Sequence, residues 1–510
     1  MRYNKIWRAA ILPLFIIAVM AAAVISYRTE ENSCMGVRIL TEAEMSRFTT
    51  HVPQEISGWI VCDGEPAAVD AGTFTVYISQ NIGEKTSCKD LKGTLGTSHP
   101  DWEVYFAGDE MFGDLDTAVK NNHPFRMIVA TGAAEYMEYS VVFTTLPVIR
   151  LAGERLYITP DREEQFGGEI TLWDSNYAGT GGKLVEKSNA QWTDSDRRDS
   201  KEAKRSWKIS LKNSNGGINM LNLFGQGKDD DWVMNSLYGD DSKVRENLAA
   251  QLWNAIASDK QYSLKTPAGE YAEVVCNGEY QGIYSVGRKT DQKYLDLDSD
   301  DLLLRDKKYP RGSYVQNNYT ILEGYYTEAE VWDIAEPFHS KSDLSVLDAD
   351  NWVDVNLFEN IMYNKGRRSG AEMYYLYKNA GTSPVLEMMP VPEDALLGIT
   401  WKEENAHFVY DGSFSTAEVK YREEYSLLKQ LYPDLDERIA ERYRYLRENI
   451  FDRDTIYALA EDEYGQLEES GALLRDSRRW NAAQENNGTE SLKNHIKARL
   501  EYLDVYYGIK

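Results

Sequence analysis

Two periodicities divide the chain. In its first part apolar positions recur at every second residue, and toward the C-terminus they recur at every third or fourth. Segments such as FTVYIS and YSVVFTTLPVI, set between Gly, Asp and Asn turns, predict a small β-rich domain over residues 37–150. RLYITP and GEITLW predict further strands, and the polar stretch from Asp174 to Lys204, rich in Gly, Ser, Asp and Lys, predicts a mobile loop. RSWKISLK alternates: Trp207, Ile209 and Leu211 take one face and Ser206, Lys208, Ser210 and Lys212 the other, a strand with one solvated basic side. A helix is expected from Asp241 or Ser242, with Val244, Leu248 and Leu252 as its buried stripe. YAEVVCNGEYQGIYSV reads as two strands around Asn277-Gly278, the dipeptide that supplies the positive φ angles of a tight hairpin turn.

Beyond the hairpin, Val355, Phe358, Ile361 and Met362 mark a helix over 352–364, which leads into strands EMYYLY and VLEMMPV. From Tyr421 the pattern is helical: Ile439, Tyr443, Leu446 and Ile450 form one stripe, and Leu492, Ile496, Leu500, Leu503 and Tyr507 another. Strands followed by a helical block predict an α+β class, with residues 151–510 as the second and larger domain.

The N-terminus departs from both patterns. Arg2, Lys5 and Arg8 precede an uncharged run from Ala9 to Ile25, bracketed by Trp7 and Tyr27. About 20 apolar residues cross about 30 Å of hydrocarbon as a helix. The basic flank comes first and Glu30 and Glu31 follow, so the positive-inside bias predicts a cytoplasmic stub at 1–8, a signal-anchor helix at 9–27, a linker at 28–36 and a folded remainder outside the cytoplasm, single-pass at the cell membrane. The rival reading is a signal peptide cleaved near Ala21, Ala22 and Ala23. Both export the rest of the chain.

A net charge of −26 argues against nucleic acid as a partner, since phosphate binding needs clustered Lys and Arg; the acidity reads as a soluble surface. Only Cys34, Cys62, Cys88 and Cys276 are present, too few for a disulfide scaffold, although Cys62 and Cys88 could pair. Cys276 reads as a small buried hydrophobe in its strand. The six histidines are scattered without His-x-x-x-His or Cys-x-x-Cys spacing, so no zinc site is expected, and there is neither a Gly-x-Ser-x-Gly elbow nor a Walker loop. The GTGG of residues 179–182 is an isolated glycine cluster and reads as loop.

Four segments in order carry a resemblance. KRSWKISLK, DDDWVMNSLYGDDSKVRENLAAQLW, NGEYQGIY, and RDSRRW followed by LKNHIKARLEYLD are similar to the Lys-rich strand, the Trp…Asp-x-Ser-x-x-Arg-Asn segment, the Asn-Gly-Glu-Tyr-x-Gly-x-Tyr hairpin and the closing helices of the spore-coat CotH kinase family. The resemblance covers roughly residues 145–507 and implies a divergent kinase-like fold, with ATP and Mg²⁺ or Mn²⁺ as the cofactors the family would use. Phosphoryl transfer needs a lysine on the nucleotide phosphates, a carboxylate orienting it, an aspartate for the acceptor hydroxyl and carboxylates on the metal. The resemblance nominates Lys204 and Lys208 for the phosphates.

At the position of the orienting carboxylate stands Arg288, which could contact phosphate but cannot pair with a lysine. Asn364 is retained, but Gly366 stands where the catalytic Asp belongs, and Met373, or Glu372 in a shifted register, replaces the next Asn. Pro390 and Gly398 match the last motif, Pro392 replaces its first Asp, and Asp394 matches the second. Pro392 has no side-chain oxygen for a metal, so Asp394 and Glu393 are the remaining metal candidates. The resemblance with these departures implies a pseudokinase that binds a secreted, envelope or spore-coat protein. The alternatives are an active ATP-dependent protein kinase using Glu372, Glu393 or Asp394, and a structural coat or envelope component.

Overall fold

A computed structural model describes residues 33–53, 58–158, 164–177, 183–194, 203–306, 319–340, 342–363, 373–378, 385–391, 396–402, 407–480 and 488–509. The alternating N-terminal segments pair into an eight-stranded mixed sheet, in which Glu135–Thr144 is central and runs antiparallel to Phe125–Ala130 and parallel to Thr75–Ser79. Val76, Phe106, Met127 and Val141 fill its core. A short sheet of Glu65–Pro66, Ile60–Cys62 and Leu95–Thr97 lies within the same segment.

The sheet's last strand ends at Thr144, and from Val148 the chain builds a closed barrel. Val148–Ile158, Glu164–Asp174, Leu184–Asp194, Trp207–Lys212, Asp231–Asn235, Glu279–Arg288 and Glu270–Cys276 pair in that order, and residues 148–151 run parallel to 273–276 to close it. Alternation explains the interior: Ile149, Leu151, Ile170, Leu172, Trp192, Ile209, Leu211, Trp232 and Tyr284 point inward and are buried together. Gly153 and Gly168 permit the closest approach of two neighbouring strands; a Cβ at Gly168 would sit 2.1 Å from the Ala152 carbonyl oxygen.

The helix Arg245–Lys260 leaves the barrel between its fifth strand in the chain and the hairpin, and packs into a separate core with the C-terminal helices. That core also holds a four-stranded sheet, ordered Tyr319–Glu323, Asp301–Asp306, Met373–Lys378 and Leu386–Pro390. Ala349–Met362 follows, capped by Asp348, whose carboxylate accepts from the Asp350 and Asn351 N–H groups. Leu435–Asn449, Arg453–Glu469, Ala472–Trp480 and Glu490–Tyr506 complete the block.

Several expectations are corrected. The chain is α+β, with a β-rich N-terminal part and a helical C-terminal block, but among the described residues no helix is long and apolar enough to cross a membrane. The longest, Arg453–Glu469 and Glu490–Tyr506, have 17 residues each and carry charges along their length, against the about 20 apolar residues a span requires. The transmembrane helix expected at 9–27 is therefore not part of the observed architecture, and residues 1–32 lie outside the described ones.

The loop expected from Asp174 to Lys204 contains instead the eleven-residue strand Leu184–Asp194, paired on both sides. Its inward residues are Ser188, Ala190 and Trp192, and a series with one large apolar member hides its alternation in a polar run. The GTGG of 179–182 lies outside the described residues. The helix expected at Asp241 or Ser242 begins at Arg245, because Asp240 and Ser242 are spent on a turn ahead of it; the Asp240 carboxylate accepts from the Arg245 N–H at 2.8 Å. All four cysteines are free, so Cys62 and Cys88 do not pair; the Cys62 thiol lies 3.6 Å from the Asp63 carboxylate. Cys276 is half-buried, its thiol pushed up to about 12 by burial.

Candidate functional site

Where the barrel meets the helical block, the strand Glu279–Arg288 departs from regular pairing. Val274 faces Gly282 and Val275 faces Tyr280, which leaves Gln281 as an extra residue, a bulge. Gly282 takes a φ of +83°, and a Cβ there would lie 2.0 Å from an oxygen of Asp476. Glycine thus provides both the left-handed backbone and the room for a carboxylate to approach.

The bulge turns backbone groups outward, and the helix Ala472–Trp480 captures them. The Asp476 carboxylate accepts from the Ile283 N–H at 2.9 Å, the Trp480 indole donates to the Gln281 carbonyl at 3.0 Å, and the Arg479 guanidinium donates to the Tyr280 carbonyl at 2.8 Å. One turn earlier Arg475 grips Glu273 with two parallel bonds of 2.7 and 2.6 Å, and it also donates to Asn122 at 2.9 Å and to the Ser470 carbonyl at 2.8 Å. The segments RDSRRW and NGEYQGIY, far apart in sequence, are the two halves of one joint.

Lys204 closes this joint. It lies just ahead of the strand Trp207–Lys212, is fully buried, and donates to Asp476 at 2.7 Å and to the Ile283 carbonyl. Its ammonium also sits 4.6 Å from the centre of the Tyr284 ring. Lys243 reaches the other oxygen of Asp476 at 3.3 Å and donates to the Leu237 carbonyl at 2.8 Å. Burial brings the Lys204 ammonium down to about 8, opposed by Asp476 and reinforced by the Lys243 charge. Asp476 itself is penalised by burial, but the two ammoniums hold its carboxyl below the usual range. Lys204 precedes the alternating strand and does not share its basic face, and its partner Asp476 lies 272 residues away in sequence.

A second ionic cluster holds the next nominated cation. Arg288 donates to Asp229 at 2.9 Å, and Lys293 lies 2.9 Å from Asp229, 2.5 Å from Asp230 and 3.4 Å from Asp231. Burial works against the Asp229 carboxylate; Lys293, the Asp231 N–H and Arg288 together hold it below its ordinary range. Lys208 is exposed on the outer face of the barrel, opposite Thr193 and Val233.

The three cations nominated for phosphate are therefore not assembled. Lys204 is sealed against Asp476, Arg288 is neutralised by Asp229 in a different cluster, and Lys208 projects outside the barrel. Asn364, Gly366, Glu372, Pro392, Glu393 and Asp394 all lie outside the described residues. Met373, at the position of the family's next Asn, is buried and pairs with Pro390, offering an apolar side chain where a metal would need oxygen. Among the described residues no group of three or more His, Cys, Asp or Glu side chains is placed to hold a metal ion.

The Asp-x-Ser-x-x-Arg-Asn segment is likewise inward. Asp240 and Arg245 are both fully buried and bonded to one another; Arg245 donates to Ser242 at 3.0 Å and to Ser491 at 3.1 Å. Asn247 donates to the Gly269 carbonyl at 2.9 Å and accepts from Ser285 at 2.8 Å. Glu273, Asp476 and Arg475 were not among the residues nominated from sequence. A signal did exist: a lone Glu in YAEVVC, surrounded by apolar residues, requires a buried cation.

The family model described as CotH kinase protein matches residues 194–503, which spans the joint and both ionic clusters. No curated protein matches the chain.

Proposed function

The chain belongs to the CotH kinase protein family, and from that premise we propose that it acts as a binding or assembly protein whose phosphotransfer site is degenerate. Its partner on this reading is another protein of the cell envelope or spore coat. The observation that carries the reading is the state of Lys204. Removing that ammonium from Asp476 to serve a nucleotide would leave a fully buried carboxylate with Lys243 alone, and breaking a buried pair costs about 3–5 kcal/mol. Gly366 and Pro392 add to this from sequence, since neither carries a carboxylate for the acceptor hydroxyl or the metal.

Radiolabelled ATP with Mg²⁺ or Mn²⁺ tests the proposal. The expected outcome is no autophosphorylation and no transfer to a generic acidic or basic protein. Labelling that is abolished by Asp394→Ala or Glu393→Ala would establish a working kinase in its place.

A further inference from the structure

The outer face of the barrel carries a feature that the kinase-like motifs do not use. Arg150 stands between Ile149 and Leu151, both fully buried toward the barrel interior, so its side chain leaves on the opposite side and meets the N-terminal sheet. Between them lies a cavity of about 280 Å³, walled by Arg150, Val275 and Asn277 from the barrel and by Trp59, Trp102 and Tyr139 from the N-terminal part.

Two properties distinguish it from a packing gap. The first is electrostatic. Nη1 of Arg150 is buried without a hydrogen-bond partner. Burial pulls the guanidinium below its ordinary range, and Glu169 and Glu65, the carboxylates that act on it, are both engaged by Lys187 at 3.4 and 2.8 Å. A buried donor left unsatisfied costs about 1–3 kcal/mol, and more when charged.

The second is preorganisation. His99 stacks on Trp102 at 4.1 Å and meets Trp59 edge-on at 5.1 Å, fixing an aromatic wall. The hairpin turn opposite is pinned from both sides: Asn277 donates its N–H to the Leu151 carbonyl and accepts from the Gly153 N–H, both at 2.8 Å, and the Gly278 carbonyl accepts from the Ala71 N–H at 2.7 Å. Aromatic walls with one convergent polar group are the ordinary composition of a small-molecule site, and the volume lies near the lower end of such sites, about 300 Å³.

We propose that this cavity binds a small carboxylate borne on a six-membered ring, with the Arg150 guanidinium taking the carboxylate and the ring lying against the Trp59 and Trp102 wall. A guanidinium matches a carboxylate with two parallel N–H donors, which answers the unpartnered nitrogen. Sugar acids and aromatic acids share this chemistry. Most of the lining precedes residue 194, so the site stands independently of the phosphotransfer reading.

Isothermal titration and saturation-transfer NMR on the full chain, with glucuronate, benzoate and neutral glucose as probes, test the proposal. Saturable millimolar or tighter binding of at least one carboxylate, with none of glucose, is expected, and which carboxylate binds identifies the ring. Arg150→Leu should weaken that binding at least tenfold while the thermal midpoint is kept, and Arg150→Lys should recover only part of it. Should Arg150→Leu fail to fold, Ala152→Leu, which narrows the same cavity, should abolish binding with the guanidinium intact. Absence of binding by both carboxylates, equal binding of glucose, or binding unchanged by these substitutions would overturn the proposal.

Discussion

Two ionic clusters flank the same strand and differ in one respect, access to water. Around Asp476, Lys204 and Lys243 are almost completely buried; around Asp229, Arg288 and Lys293 remain 14% and 34% exposed although the carboxylate is not. At the centre of each, one buried carboxylate is held by two cations, although Lys293 of the second also reaches Asp230 and Asp231, so the central pairing does not separate them. Location does. The first cluster ties the helix Ala472–Trp480 to the bulged hairpin, where water cannot replace a lost partner, whereas the second lies where solvent can re-enter. A buried charge is held because releasing it is expensive, and a cation so held is not available to a ligand.

The largest effect should come from Asp476→Ala, which strands two ammoniums and frees the Ile283 N–H at once. A loss of about 3–5 kcal/mol is expected, read as a lowered urea midpoint, with little change between 0.1 and 1 M salt. A loss below about 1 kcal/mol would mean that the joint is not sealed. Arg288→Ala should cost less, about 1–2 kcal/mol, because Lys293 still serves Asp229. Its cost should shrink at 1 M salt, where the Debye length falls to about 3 Å. If the two variants respond to salt alike, the contrast between the clusters is wrong. Lys208→Ala, on the exposed barrel face, should stay within about 0.5 kcal/mol of the parent in the same urea titration.

What the sequence made legible follows from how local each signal was. The hairpin around Asn277-Gly278 is observed as Glu270–Cys276 paired with Glu279–Arg288, because its turn is determined by two adjacent residues. The stripes of Ile439, Tyr443 and Leu446 and of Leu492, Ile496, Leu500 and Leu503 are buried, as a helical period requires. The strand Leu184–Asp194 escaped because only Trp192 among its inward residues is large and apolar. Lys204 was misplaced for a different reason. Nothing next to it in sequence reveals that Asp476, carried on a helix near the other end of the chain, will enclose it. Local periodicity reports which face of an element is apolar, but it does not report which buried charge meets which.

The most direct test of the account is amine-reactive labelling of the folded chain, followed by peptide mass spectrometry, with Lys208 as the internal exposed reference. Lys208 should be labelled while Lys204 stays protected until the protein is unfolded by urea, with no change on adding ATP and Mg²⁺. Labelling of Lys204 in the folded chain at a rate comparable to Lys208, suppressed by ATP and Mg²⁺, would contradict it.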